Sequence, residues 1–258
     1  MVLQANIHSG AKIGQNVVVE PFATIYDDVE IGDGTWIAPN VVLMPGTRIG
    51  KNCKIYPGAV IGAEPQDLKY SGEYTTTEIG DNTVIRECAT IQRGTSDRNK
   101  TVIGKNCLIM CYVHVAHDCI VGDHVIIAGY SGLSGHNVIG DWAILEGKVG
   151  TQQFIHIGEH SFIAGSTMVR KNVPPYVRAA REPISYAGIN GIGLRRRGFS
   201  DEVIKTVEDI YRHLFVMNNT ITAGLEAIEK EVPDCEQKTK VLDFVRQSER
   251  GIMRGFNN

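Results

Sequence analysis

A six-residue spacing of aliphatic side chains constrains the fold more than any other feature of this 258-residue sequence. Stepping by six from Ile7 to Val169 gives 28 positions, and 24 of them are Ile, Val or Leu. The four exceptions are Asp67, Glu73, Asp97 and Thr151. An α-helix repeats every 3.6 residues, so it cannot place such a series on one face. Residues two positions before the aliphatic ones are mostly small, which indicates a second inward-facing position in each repeat.

A second, longer period equal to three hexapeptides is superimposed on the six-residue period. Ile-Gly or Val-Gly pairs begin at positions 31, 49, 103, 121, 139 and 157. This spacing predicts a triangular prism in which each coil holds three short parallel strands, with coils stacked about 4.8 Å apart. The pattern resembles the hexapeptide-repeat family, which implies a left-handed parallel β-helix. We therefore expect a mainly β fold.

Breaks in the repeat and a change of periodicity divide the chain. The prism is expected to end at Pro174 and Pro175, because proline lacks the backbone donor that strand pairing needs. Helical periodicity then begins near Phe199, with Ser200 available as an N-cap, and predicts a small α-helical C-terminal domain. The predicted units are a prism over 1–175 with loops at 62–78 and 92–102, a basic connecting segment over 176–198, and a helical domain over 199–258 with helices near 199–218, 220–231 and 235–250.

Composition excludes several classes of protein. The net charge of −3 and a pI near 6.2 give no overall attraction to nucleic acid or to an anionic membrane. The six cysteines form no Cys-x-x-Cys pair, and the N-terminus lacks the features of a signal peptide, so we expect a cytoplasmic protein. Because no apolar run approaches about 20 residues, we expect no direct insertion into a membrane.

Histidines and an aspartate cluster in the stretch MCYVHVAHDCIVGDH, residues 110–124. His114 and His117 fall outside the two inward positions of the repeat, so we expect them on the outside or at a corner of the prism. One coil of 18 residues after His117 lies Gly135, and one coil further lies Gln153. These three positions should stack in a column, with His136 beside Gly135, and form a polar outer patch.

Three interpretations of this patch are open from the residues themselves. A metal site is disfavoured, because trimeric carbonic anhydrases built on such a prism place two nearby histidine ligands five positions apart, whereas His114 and His117 lie three apart. A general base is favoured, since a histidine with a pKa near 6.5 can take a proton from a hydroxyl at neutral pH. Asp118 could then fix its tautomer, and a glycine N–H one coil away could bind an oxyanion. Solvated surface histidines are the third interpretation.

A wider resemblance covers essentially the whole chain. The motifs PQDLKYSGE, VHVAHDC, SGH, QQF, VPPYV and GLRRRGFS occur in the order and spacing of the UDP-N-acetylglucosamine O-acyltransferase family. This resemblance implies transfer of a long 3-hydroxyacyl chain from acyl carrier protein to the 3-position of UDP-N-acetylglucosamine, the first step of lipid A biosynthesis. It also implies a homotrimer with active sites between subunits. A thioester already carries a good leaving group, so we expect no metal and no cofactor.

The resemblance assigns roles to individual residues. His117 corresponds to the general base, Asp118 assists it, and the backbone of Gly135 supplies the oxyanion hole. Gly165 corresponds to the position that meets the far end of the acyl chain. Residues that are expected to contact substrates are Gln66, Asp67, Lys69, His114, His136, Gln152, Gln153, Gly165, Asn190, Arg196 and Arg197.

Two positions depart from the family pattern. Gln152 replaces a histidine, so this position has no titratable side chain. Ile192 replaces an acidic residue, so this position has no side-chain hydrogen-bond acceptor. The segment from Arg170 to Ser200 holds seven basic residues against Glu182 alone, which suits an acidic carrier protein and a diphosphate. A nucleic-acid site is disfavoured there, because no aromatic residues are interleaved with the charges.

Other functions remain open from the sequence. The N-acyltransferase of the same pathway shares the prism, but it normally carries an N-terminal nucleotide-binding domain, whereas the repeats here begin by Ile7. A non-enzymatic trimeric scaffold would not explain why His117, Asp118 and Lys69 occur together. The sequence leaves open whether the acceptor sugar presents a hydroxyl or an amine at its 3-position.

Overall fold

The structure, a computed structural model, describes residues 4–255. The first three residues of the predicted prism and the last three of the predicted helical domain lie outside the described residues. Within residues 4–255 the strands form three sheets of nine, eight and ten strands. The strands are β1 (Asn6–Ile7), β2 (Lys12–Ile13), β3 (Val18–Val19), β4 (Thr24–Ile25), β5 (Glu30–Ile31), β6 (Trp36–Ile37), β7 (Val42–Leu43), β8 (Thr47–Ile49), β9 (Lys54–Ile55), β10 (Val60–Ala63), β11 (Thr76–Ile79), β12 (Val84–Ile85), β13 (Thr90–Gln92), β14 (Lys100–Ile103), β15 (Leu108–Ile109), β16 (His114–Val115), β17 (Ile120–Val121), β18 (Ile126–Ile127), β19 (Gly132–Leu133), β20 (Val138–Ile139), β21 (Ile144–Leu145), β22 (Gly150–Thr151), β23 (His156–Ile157), β24 (Phe162–Ile163), β25 (Met168–Val169), β26 (Val177–Ala180) and β27 (Ser185–Ile189).

Each sheet forms one side of a three-sided prism. From β1 to β22, every strand pairs in parallel with the strand three further along the chain, so Thr24 lies opposite Val42 and His114 opposite Gly132. We call the sides face A (β1 to β25), face B (β2 to β23) and face C (β3 to β27), in the order in which the chain first visits them. Successive turns of the chain therefore stack as coils, and residues one coil apart become neighbours.

The two inward positions of the repeat fill the prism. Ile25 and the preceding inward residue Ala23 are 1% and 0% exposed, and the same pair recurs in later coils as Val113 with Val115. Burying one such aliphatic side chain stabilises the fold by about 1.5–3 kcal/mol. Ile7 in the first described coil is 43% exposed, because no coil covers it from below.

The corners of the prism use a left-handed backbone conformation. The residue three positions after the inward aliphatic residue has a positive φ at most corners, as at Asn16, Asn52 and Asn106 with φ near 55°. Asparagine tolerates this conformation well. Asp118 and His136 occupy the same corner position, with φ of 58° and 63°. Two residues of the predicted site are therefore held by the turn geometry itself.

Aspartates join the coils at another corner. The carboxylate of Asp33 accepts a hydrogen bond from the Gln15 N–H at 2.9 Å, one coil below. Asp123 does the same for the Lys105 N–H at 2.7 Å. These bonds satisfy turn amides that have no strand partner, and they fix the coil register.

In the described part of the chain, a hairpin and four α-helices follow the prism. β26 pairs with β24 in parallel and with β27 in antiparallel fashion, so the segment predicted as a basic connection contains ordered structure. The helices are α1 (Gly191–Arg196), α2 (Asp201–Arg212), a π-helical turn (His213–Met217), α3 (Ile221–Glu231) and α4 (Glu236–Arg246). Ser200 accepts a hydrogen bond from the Val203 N–H, which confirms the predicted N-cap. The Tyr211 hydroxyl donates to the Pro175 carbonyl at 2.5 Å and ties α2 to the last coil.

Among residues 4–255, no helix has the length and apolar character that a membrane crossing requires.

Candidate active site

His117 lies at the corner that follows β16 on face A. It avoids the interior of the prism, as expected, yet it is only 3% exposed. Three neighbours enclose the imidazole: the loop over 62–78 places Asp67 Oδ2 3.6 Å from His117 Nε2, the His136 ring packs edge-on at 5.0 Å, and Gly135 approaches from the next coil. A corner histidine has thus become a desolvated group at the wall of a cavity.

Asp118 holds His117 in place through its carboxylate. Its Oδ2 lies 2.8 Å from His117 Nδ1 and accepts a second hydrogen bond from the Thr95 hydroxyl at 2.6 Å. Its Oδ1 accepts from the backbone N–H groups of Thr95 and Arg98 at 3.0 and 3.2 Å. The Arg98 guanidinium also donates to the Asp118 carbonyl. The loop over 92–102 therefore fixes this carboxylate with three hydrogen bonds and the backbone of Asp118 with a fourth.

These contacts define the charge on Asp118 and the tautomer of His117. Burial by itself would raise the pKa of Asp118, but the hydrogen bonds from Thr95 and His117 outweigh it and hold the pKa below its ordinary value. Because the ionised carboxylate can only accept, His117 Nδ1 must donate to it. His117 Nε2 then carries the free lone pair that a general base needs.

Gly135 lies one coil above His117, as the 18-residue period predicts. A side chain at this position would begin 2.6 Å from His117 Cε1, so glycine is required by the close approach of the imidazole. Within residues 4–255, the Gly135 N–H forms no hydrogen bond. It is therefore available to an oxyanion close to the base.

Two further histidines flank the base. His136 Nδ1 lies 3.0 Å from Asp97 Oδ2, and its ring stacks on Phe154 at 4.3 Å. His114 Nδ1 lies 2.8 Å from the Thr90 hydroxyl. Burial lowers the pKa of both histidines, and His117 also contributes to the lowering at His114. Both rings are therefore neutral at neutral pH and act as hydrogen-bonding groups.

A cavity of 370 Å³ on face A is lined by His114, His117 and Gly135 among others. At one end it is lined by polar side chains, including His114 and His117. At the other end its wall is formed by Gly132, Gly150 and Met168. An added side chain at Gly132 would meet no atom within 4 Å, so the space over this glycine is open, whereas the Met168 side chain covers Gly150. The cavity therefore has a polar end beside the base and an apolar end above it, where the strand wall is glycine and methionine, although Thr151 and Gln153 also line the cavity.

The other site residues predicted on the loops and corners differ in whether they line this cavity. Gln66 is exposed and lines it, whereas Asp67 is half-buried beside His117. Lys69 is exposed, and its backbone N–H donates to Asp67 Oδ1 at 2.9 Å. Gln152 and Gly165 are exposed and do not line the cavity.

A second cavity, of 320 Å³, lies on face C and is lined by other predicted residues. Asn190, Ile192 and Arg196 line it together with Arg178. The Asn190 side chain is already engaged, because its Nδ2 donates to the His160 carbonyl and its Oδ1 caps α1 at Gly193. Within one chain, the structure therefore leaves these residues apart from His117.

Arg197 has a structural environment that the sequence did not predict. Its guanidinium lies 5.3 Å from the centroid of the Trp142 ring, and its Nη1 lies 3.3 Å from His160 Nδ1. Burial and the nearby Arg197 charge lower the pKa of His160 to about 4. Arg197 is thus partly committed to holding α1 against the prism, whereas Arg196 is exposed.

The structure adds site residues that sequence reasoning missed. Thr95 and Arg98 hold Asp118, and Gln92 lines the face A cavity. Their loop was identified by the break in the repeat, but contacts across 20 or more residues leave no local pattern in the sequence.

His117, Asp118 and His136 can also be tested as a metal site. Their potential ligand atoms lie within 4.8 Å of one another. However, the Asp118 carboxylate already accepts four hydrogen bonds, which occupy the lone-pair directions that a metal would need. The donor set fits a base and its orienting carboxylate better than a metal.

Comparison with known proteins defines the class first. A family described as bacterial transferase hexapeptide (six repeats) matches residues 10–35, 28–63 and 100–135. A second, described as Udp N-acetylglucosamine O-acyltransferase, Domain 2, matches residues 172–253. The chain is therefore a hexapeptide-repeat acyltransferase.

Relatives over nearly the whole chain define the family. An acyl-[acyl-carrier-protein]–UDP-N-acetylglucosamine O-acyltransferase from Chlorobaculum parvum is 44% identical over 257 residues, 98% of this chain and 97% of that protein. The protein of the same name from Tolumonas auensis is 46% identical over 90% of this chain and 89% of its own length. This chain belongs to the UDP-N-acetylglucosamine O-acyltransferase family.

Solved structures agree with this assignment. A UDP-N-acetylglucosamine acyltransferase from Bacteroides fragilis superposes with a TM-score of 0.96 at 45% identity, covering 98% of this chain and all of that one. The enzyme from Francisella novicida gives a TM-score of 0.94 at 38% identity, covering 98% and 93% of the two chains. The predicted fold class, a left-handed parallel β-helix followed by a small helical domain, is confirmed. The roles of individual site residues stay predictions.

Proposed function

We propose that this chain transfers a long 3-hydroxyacyl group from the thioester of acyl carrier protein to the 3-hydroxyl of UDP-N-acetylglucosamine, the first step of lipid A biosynthesis. The relatives' names supply both substrates. The observation that carries the proposal is the pairing of His117 Nδ1 with Asp118 Oδ2 at 2.8 Å, beside a cavity with one polar and one apolar end. The His117–Asp118 pair provides a base for the sugar hydroxyl, and the cavity provides space for an acyl chain.

The first chemical step uses His117 as a general base. Its Nε2 accepts the proton of the sugar 3-hydroxyl while the hydroxyl oxygen attacks the thioester carbonyl carbon and a C–O bond forms. Asp118 stabilises the resulting imidazolium, because its carboxylate is held ionised and hydrogen-bonded to Nδ1. Such a base contributes on the order of 10²–10⁴-fold to the rate.

The second step releases the carrier. The Gly135 N–H, close above His117, stabilises the oxyanion of the tetrahedral intermediate. When the intermediate collapses, the C–S bond breaks and the His117 imidazolium returns its proton to the sulfur. The products are the 3-O-acyl sugar nucleotide and the free thiol of the carrier protein, so the electron balance requires no redox cofactor.

We further propose that the chain acts as a homotrimer in the cytoplasm. Asn190 and Arg196 line a cavity on face C while His117 serves face A, so a subunit arrangement that brings the two faces together would complete a substrate site. All six cysteines are free, which fits a reducing compartment.

The basic segment after the prism is proposed to bind the anionic parts of both substrates. Replacing both Arg196 and Arg197 by Ala should raise KM and make the remaining activity less sensitive to salt, because screening acts on the charge pairs that are removed. Arg196→Ala alone separates this effect from the packing role of Arg197, since Arg196 is exposed. An unchanged KM for both substrates in the double variant would show that the segment is a solvated surface.

The proposed function is tested by incubating the purified protein with UDP-N-acetylglucosamine and a series of 3-hydroxyacyl carrier proteins. Formation of an acylated sugar nucleotide that continues in the presence of a chelator is the expected result. Parallel reactions with the 3-amino analogue of the sugar decide between ester and amide formation. Transfer to neither sugar with any donor would favour a non-enzymatic scaffold, and inhibition by the chelator that zinc reverses would restore the metal interpretation.

A further inference from the structure

Gln92 is a buried polar residue whose side chain has no partner in the protein. It ends β13 and is 2% exposed. Within residues 4–255, neither Nε2 nor Oε1 of its carboxamide forms a hydrogen bond. The residue lines the face A cavity that also contains His117 and Gln153.

The position of Gln92 relates it directly to the base. Ile91 lies opposite Val115 in the parallel ladder, so Gln92 lies one coil below Ala116, the neighbour of His117. Gly132 and Gly150 lie on the opposite side of His114 in the face A ladder, at the apolar end. Gln92 therefore belongs to the polar end of the cavity, close to the reacting groups and away from the groove for the hydrocarbon.

An unpaired buried amide is unfavourable in the free protein. Each unsatisfied donor or acceptor has lost its hydrogen bonds to water without gaining others, and an apolar side chain of the same length would avoid this cost. The cost is removed if a bound molecule supplies the missing partners. A carboxamide can donate and accept at the same time, and its simplest complement is a hydroxyl group, which also does both.

We propose that Gln92 binds a substrate hydroxyl at the polar end of the cavity and selects hydroxylated substrates over their deoxy analogues. The inference rests on the proposed function, which places the substrates in this cavity. Two hydroxyl sources fit the same chemistry, the 3-hydroxyl of the acyl chain and a sugar hydroxyl that does not react. Gln92 is thus a specificity-determining residue for the transfer reaction.

The test replaces the carboxamide by an apolar group of similar length, Gln92→Met. For the unaltered protein and the variant, kcat/KM is measured with 3-hydroxyacyl and plain acyl carrier proteins of equal chain length. A second arm compares UDP-N-acetylglucosamine with analogues that lack the 4- or 6-hydroxyl. The unaltered protein should favour the hydroxylated substrate in one arm, and Gln92→Met should reduce that preference by about 10- to 100-fold. The arm that changes identifies the source of the hydroxyl.

A matched control is Thr101→Val, because the Thr101 hydroxyl is another fully buried and unpaired polar atom but does not line the cavity. This control should leave both preferences unchanged, and neither variant should melt below the unaltered protein. A folded Gln92→Met enzyme that keeps both preferences would overturn the assignment and leave solvent as the partner of Gln92. Absence of transfer by the unaltered protein would instead overturn the proposed function, and the inference with it.

Discussion

At the scale of single residues, the site depends on how corner positions are used. Asp118 occupies a left-handed corner with φ of 58°, and His117 directly precedes it. The repeat therefore turns the chain so that the carboxylate and the imidazole share a hydrogen bond between adjacent residues. The sequence could predict that His117 avoids the core, from its phase in the hexapeptide. It could not predict its burial, since Asp67, one of the groups that enclose it, lies 50 positions earlier.

Replacing His117 should remove chemistry while leaving the fold. We expect His117→Ala to lower kcat by about 10²–10⁴-fold, because the general base is lost. The prism core contains none of its atoms, and Asp118 keeps its bonds to Thr95 and Arg98, so the variant should retain the secondary structure and the assembly state of the unaltered protein. Circular dichroism and size-exclusion chromatography serve as controls. A folded variant with most of the original kcat would remove His117 from the mechanism.

His160 should make stability depend on pH. Its pKa is lowered to about 4 by burial and by Arg197, whereas an unfolded histidine titrates near 6.5. Between these values the unfolded chain binds a proton that the folded one does not, so stability should fall as pH decreases from 6.5 towards 4, by at most about 1.4 kcal/mol per pH unit. Melting of His160→Phe should be less pH-dependent in this window. The exposed His8→Gln serves as control, and equal slopes for all three proteins would refute the assignment.

At the scale of elements, the regular parts follow from local pattern and the irregular parts do not. The hexapeptide period predicts the strands because every coil repeats the same inward pair, as Ala23 with Ile25 and Val113 with Val115. α1 was not predicted, since a six-residue helix that contains two glycines has no clear apolar period. The loop over 92–102 was located by the break in the period, but its function comes from contacts with Asp118 that only the folded chain brings together.

The loop over 92–102 should influence the pKa of Asp118, whose carboxylate orients His117. Thr95→Val removes the 2.6 Å bond from the hydroxyl to Asp118 Oδ2, which is one cause of the lowered pKa of Asp118. We expect kcat to fall on the order of tenfold with little change in KM, as one hydrogen bond to a charged group is lost. The pKa of Asp118 should rise, so the acid limb of the pH–rate profile should move to higher pH. Thr95→Ser keeps the hydroxyl, so it should restore kcat and the position of the acid limb. If the pH–rate profiles of Thr95→Val and Thr95→Ser are the same, Thr95 has a purely structural role.

At the scale of the whole molecule, the site is distributed over more than one face of the prism. His117 and Gln153 line a cavity on face A, and Arg196 lines one on face C. A single stack of coils cannot turn these faces towards each other, because each face is a separate side of a rigid prism. Association of subunits around a common axis would do so, and the proposed homotrimer is one such arrangement. The sequence carries this information only through resemblance, since no local pattern encodes which faces meet.

The length of the acyl chain that the enzyme accepts should depend on Gly165, on the outer surface of the prism. Gly165 is exposed, its backbone lies outside the left-handed region, and an added side chain would first meet the Gly147 carbonyl at 3.2 Å. Methionine can therefore be placed there with a small adjustment, and it would project from the prism into the proposed groove between subunits. We expect Gly165→Met to prefer shorter 3-hydroxyacyl donors. Each methylene excluded from an apolar environment forfeits about 0.8 kcal/mol, so the loss of two should change selectivity by roughly tenfold.

The measurement compares kcat/KM across donors of increasing length for the unaltered protein and for Gly165→Met, together with their melting temperatures. Met168→Ala is the companion variant, because the Met168 sulfur lies over Gly150 at the apolar end of the face A cavity. If the chain ends near Gly165, only Gly165→Met shortens the preferred donor. If the chain instead ends within the face A cavity, Met168→Ala should lengthen it while Gly165→Met has no effect. A stable Gly165→Met variant with the original length profile would therefore move the length limit from the outer surface to Met168.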